Sequence, residues 1–257
     1  VEFSISFIIL IIVVSFIAQF LNTALGEGFG TIVIPSFVLL GFDPIEIVPS
    51  LLFVQVFTGV ISAIFHHRYG NVDFSVDGKS FKIAMVLTFF SVIGGGSAAI
   101  LAVNISQFFV KIYVGLIALL MGVLVLVFKE RNIEFSWAKI NFMGFFASFN
   151  KGISGGGYGP IITSGQILSG LDSKSSVSIS SFTEAMTCLM ALLIYLLKLK
   201  IIDFMPVLPL LVGSFLAIPF AVRVVKKSNG KKHVIAIGII TISLGLATLI
   251  KVIQGVF

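Results

Sequence analysis

Charged side chains are scarce: they make up 11% of the 257 residues, against 58% hydrophobic, and the mean hydropathy is +1.15. A water-soluble domain carries about 25% charged residues. So little charge cannot cover a water-facing surface, which excludes an ordinary soluble protein. Cysteine is nearly missing too. Cys188 stands alone, so no intrachain disulfide can form. Histidine is limited to His66, His67 and His233, all at the ends of apolar segments and without metal-ligand company. They are expected to be interfacial, and no metal or cofactor is expected. The net charge of +6 does not point to nucleic acid, because the lysines and arginines lie mostly in short loops, where they orient a membrane protein.

Apolar runs fill the rest. Hydropathy places full-length spans near 3–25, 44–65, 81–103, 107–128, 138–151, 175–197, 204–224 and 233–255. The first lacks a basic leader and a cleavage site and is read as a spanning helix. Two shorter apolar segments, about 31–41 and 160–171, each follow a glycine cluster. Ten segments result if these cross, eight if they re-enter. An all-α integral membrane protein is the expected class.

The chain repeats itself. Gly28-Phe29-Gly30 matches Gly157-Tyr158-Gly159, and Gly41-Phe42-Asp43 matches Gly170-Leu171-Asp172, both at an offset of 129. The same offset pairs Gly26 with Gly155, Asn22 with Lys151, Gln55 with Glu184 and Thr58 with Thr187. Further on, Gly115 and Gly122 pair with Gly238 and Gly245 at an offset of 123. Two membrane repeats of about five segments are expected, 1–128 and 129–257. Because five is odd, the second should be inverted. Loops containing Arg68 and Lys79, Lys129 and Arg131, and Lys226 and Lys227 then all fall inside if the N-terminus is external, with Lys198 and Lys200 as exceptions.

Each repeat places a glycine-rich break between a long and a short segment: "ALGEGFGTIVIP" and "KGISGGGYGPII". Backbone leaving helical geometry strands polar groups in hydrocarbon, so such breaks are kept only inside protein or along a polar cavity. A new helix after each break, with Thr31 and Pro160 in its first turn, would present free amides and a positive dipole end to an anion. Paired breaks near the midplane are typical of secondary transporters. Close helix packing through small-xxx-small spacing is the competing explanation. The anion-binding set read from this pattern is Asn22, Gly28, Gly30, Thr31, Gln55, Lys151, Gly157, Tyr158, Gly159, Pro160, Ser180 and Thr183. Lys151 would neutralise the anion, unless it only snorkels from a helix end. Glu184 lies on one helical face with Ser176, Ser180, Thr183 and Thr187, and Glu27 lies in the first break. Both carboxyls are candidate proton carriers.

The motifs "GEGFGTIVIP" and "GISGGGYGP", the intervening "HHRYGNVD" and the half-to-half repeat resemble the TauE/SafE sulfite-exporter-like membrane proteins across essentially the whole chain. The resemblance implies a transporter of sulfite, sulfonates or related small sulfur oxyanions in the prokaryotic inner membrane, surrounded by lipid. Two other classes compete. "GISG" matches an intramembrane serine protease motif, but every histidine lies at a segment end or in a loop, away from that serine. "GGGYG" resembles a potassium-channel filter, and an anion channel is the closer alternative to a transporter.

Overall fold

The computed structural model describes residues 4–39, 44–101, 107–128, 134–154, 158–199 and 204–254. Among the described residues it contains ten α-helices and no strand. In chain order they are α1 (Ile5–Leu25), α2 (Phe29–Leu39), α3 (Pro44–Arg68), α4 (Lys79–Leu101), α5 (Gln107–Phe128), α6 (Trp137–Ser154), α7 (Tyr158–Leu168), α8 (Ser173–Leu199), α9 (Val207–Lys227) and α10 (Gly230–Ile253). Six of them are long and apolar enough to cross a membrane.

The helix starts follow from local chemistry. Ser4 accepts a hydrogen bond from the Phe7 amide, and Asn229 accepts one from the Lys231 amide. The Asp172 carboxylate likewise accepts from the Ser175 amide at the start of α8. Each side-chain oxygen pairs a first-turn amide that the helix cannot satisfy itself.

Four helix pairs organise the bundle. α1 runs parallel to α9: Ser15 Oγ donates to Leu210 O (2.6 Å) and lies 2.8 Å from Ser214 Oγ, while Ala24 packs with Ala221 and Val225 further along. α4 runs parallel to α6, with Leu87 against Gly144 and Ser148 Oγ donating to Ser91 Oγ. α3 runs antiparallel to α8: Val48 and Leu52 pack with Ala191 and Leu192, whereas Gly59 lies against the Ser181 carbonyl and Ala185. α5 runs antiparallel to α10 along a glycine seam, Gly115 against Gly245 and Gly122 against Gly238. Without Cβ atoms at these four positions the two backbones approach closely, which is how helices associate where lipid offers no hydrophobic drive.

One end of the bundle is tied together and basic. Arg223 donates to the Tyr69 hydroxyl, Lys174 to the Lys226 carbonyl, and the Ser136 amide to the Ser169 carbonyl. Lys79 lies 3.6 Å from the centre of the Phe135 ring. These contacts place the loops after α3, α5, α7 and α9 in one layer.

Candidate functional site

The first break begins where α1 stops. Gly26 adopts φ 73° and Gly28 φ 82°, left-handed conformations that glycine reaches without a Cβ penalty. The Gly26 amide returns to Asn22 O (2.8 Å), and the Asn22 side chain accepts from the Gly28 amide (2.9 Å). The following carbonyls of α1 also find partners: His66 Nε2 donates to Thr23 O (3.1 Å) and His233 Nε2 to Ala24 O (2.7 Å). A carbonyl only accepts, so both rings carry their proton on Nε2 in these bonds. Nδ1 of His66 then accepts from Asn71, and Nδ1 of His233 from Ser173. The expectation that the histidines are interfacial is therefore corrected for two of them: His66 and His233 are buried and finish a helix end inside the bundle.

The second half meets this break directly. A Cβ on Gly159 would collide with backbone atoms of Gly26, Glu27 and Gly28. Thr163 Oγ1 lies 3.0 Å from Gly26 O and 2.9 Å from Ser180 Oγ, and Ser180 also accepts from Gln166 Nε2 (2.8 Å). Tyr158 is fully buried, in a core cluster with Ile161, Ile162 and Ile179. The Thr183 hydroxyl returns to its own helix at Ile179 O. Glu27 is fully buried and accepts from Thr241 of α10 (2.7 Å).

At the centre of α3 and α8 sits a buried charged group. Lys151 Nζ, from the last turn of α6, lies 2.9 Å from Glu184 Oε1 and 3.2 Å from Gln55 Oε1. Gln55 Nε2 donates in turn to Glu184 Oε1 (3.1 Å), and the Cys188 thiol lies 3.4 Å from Gln55 Oε1. Lys151, Gln55 and Glu184 are each at most 3% exposed. Snorkelling is thereby excluded for Lys151, whose ammonium points into protein. Burying two charges is unfavourable unless they are close and hydrogen-bonded, and Gln55 supplies an acceptor to one and a donor to the other.

Of the residues singled out in the sequence, Gln55, Lys151 and Glu184 meet in one cluster. Asn22, Gly28, Gly159 and Ser180 lie where α7 meets the first break, Tyr158 is buried in the core beside it, and Gly30 and Pro160 are buried in the first turns of α2 and α7. Gly157 and the side chain of Thr31 lie outside the described residues. The sequence reading missed Thr163, Gln166, Thr241 and the two histidines. Thr163 stands opposite Ile34 in the repeat register, so no polar match signalled it. Among the described residues no cluster of histidine, cysteine and carboxylates has the composition of a metal site.

No solved structure matches the chain. A curated relative, the probable membrane transporter protein YtnM of Bacillus subtilis (strain 168), is 25% identical over 254 residues, covering 93% of this chain and 81% of the relative. The family model described as sulfite exporter TauE/SafE matches residues 11–248. With a family match over nearly its whole length, the chain belongs to the TauE/SafE sulfite exporter family.

Proposed function

We propose that this protein is a secondary transporter, working as an exporter, of a small sulfur-containing oxyanion such as sulfite or a sulfonate. It would act by alternating access between two inverted repeats in the prokaryotic inner membrane. The observation that carries this reading is the buried Lys151 ammonium, paired with Glu184 one turn along α8 from Ser180, which reaches the first break through Thr163. An ammonium there offers a point charge to an oxyanion in a low-dielectric setting, where each contact is stronger than in water. Glu184 is the group paired with that ammonium, and of the two candidate proton carriers it is the one in contact with it.

The helix pairs support inversion. α3 and α8 occupy corresponding places in the two halves, as do α5 and α10, and each pair runs antiparallel. Corresponding helices that run oppositely across a bilayer belong to halves facing opposite ways. Gln55 and Glu184, at the repeat offset of 129, hydrogen-bond to each other, as residues on a pseudo-twofold axis would. Exchanging Gly115 with Gly238 and Gly122 with Gly245 turns the Gly115–Gly245 contact into the Gly238–Gly122 contact. Rocking one half against the other would part the breaks on alternate sides.

Purified protein is to be titrated with sulfite, thiosulfate and short sulfonates. Because Lys151→Ala alone would strand the Glu184 carboxylate, the test variant is Lys151→Met combined with Glu184→Gln. It should lose at least roughly thirtyfold in affinity, the low end for truncating a buried charge partner. The exposed-loop control Lys79→Ala should bind normally. Native affinity in the double variant would remove Lys151 from the site.

A further inference from the structure

The central cluster holds one cation and one anion in contact, both buried. An arriving monoanion that takes the ammonium leaves two negative charges facing one positive charge. An uncompensated buried charge costs several kcal/mol even after relaxation. One proton on Glu184 removes the imbalance. Among the described residues the titratable groups near Glu184 are Lys151 from α6, Tyr158 from α7 and Cys188 one turn along α8, with neutral Gln55 from α3. Near this stretch of α8, α4 presents neutral Gly95 to Thr187. Only Glu184 among these groups is a carboxyl already bonded to the ammonium that the anion would claim.

Gln55 makes the exchange geometrically economical. Its Oε1 accepts from Lys151 while its Nε2 donates to Glu184 Oε1. If the ammonium turns to the oxyanion, Gln55 Oε1 becomes free to accept an O–H from protonated Glu184. The amide thus serves both charge states without reorienting.

Resting on the oxyanion reading above, we propose that each singly charged oxyanion bound at Lys151 is accompanied by one proton taken up by Glu184, so that transport is electrically silent. No bond in the anion changes; the proton comes from solvent and is carried on a Glu184 carboxyl oxygen. A doubly charged oxyanion such as sulfate is selected against, because it would require a second proton for which Glu184 has no place.

Methanesulfonate is a suitable probe, since it stays a monoanion across the working range and any pH dependence belongs to the protein. With the full chain in proteoliposomes, its affinity should fall with rising pH, reaching a slope of about tenfold per pH unit, the slope for one linked proton. Glu184→Gln should bind with no such slope. A potassium diffusion potential set with valinomycin should leave wild-type methanesulfonate flux unchanged and drive flux in Glu184→Gln. A flat wild-type profile, wild-type flux that follows the potential, or sulfate binding as tight as methanesulfonate would each overturn the proposal, and none of these three requires the variant to fold. Absence of binding by either methanesulfonate or sulfite at every pH would instead overturn the oxyanion reading beneath it.

Discussion

Thr23 and Ala24 offer main-chain carbonyls that α1 cannot satisfy, because the helix stops at Leu25. Two imidazoles from other helices supply the missing donors, and both are buried. Removing either ring leaves an unpaired carbonyl in the protein interior, which costs about 1–3 kcal/mol. His66→Ala and His233→Ala should therefore each lower the melting temperature in detergent while leaving sulfite affinity unchanged; lost affinity at native stability would show that the rings serve the ligand. The sequence placed these histidines correctly at segment ends but not inside the bundle. Hydropathy reports how apolar a segment is, not which neighbours surround its last turn. For Lys151 the ambiguity was of the same kind. A lysine at the end of a helix either reaches for water or finds a carboxylate, and only the packing of α3 and α8 beside α6 brings Glu184 within 2.9 Å.

Helices were more legible than side-chain partners, because twenty apolar residues in a row leave few options in lipid. Among the described residues a helix lies at each of the ten apolar segments, with ends displaced by up to three residues, but six rather than eight are long and apolar enough to cross a membrane. What sequence could not decide was the role of the short ones. α2 and α7 have 11 residues each, so they reach only about 16 Å of a roughly 30 Å hydrocarbon core. Their starts are held by the contact of Gly159 with the backbone of Gly26 to Gly28. A methyl group at 159 would meet backbone atoms, which cannot swing aside as a side chain does. Gly159→Ala should cost about 1–3 kcal/mol, the usual range for overpacking. Its melting temperature and its sulfite affinity, measured together, separate two roles. A drop in stability with native affinity makes the glycine a packing device, whereas lost affinity means that the parted breaks also line the anion's place.

At the scale of the whole molecule, the charged loops gather at one end of the bundle, and that has a consequence for orientation. The loops after α3, α5, α7 and α9 share one basic layer. Lysine and arginine in short loops stay on the cytoplasmic side, so this layer should face the cytoplasm and the junction of α8 with α9 should face outward. Single-cysteine labelling can read both ends in one experiment, because the native Cys188 is fully buried and should remain silent. Ser228, between α9 and α10, lies in the basic layer, and Met205, just before α9, is 60% exposed at the other end. In intact cells an impermeant maleimide should label Met205→Cys and spare Ser228→Cys, while a permeant one should label both. Impermeant labelling of Ser228→Cys alone would mean that the bundle sits the other way round. Labelling of both positions by the impermeant reagent would mean that the two ends do not lie on opposite sides, and the inverted-repeat reading would fall with them.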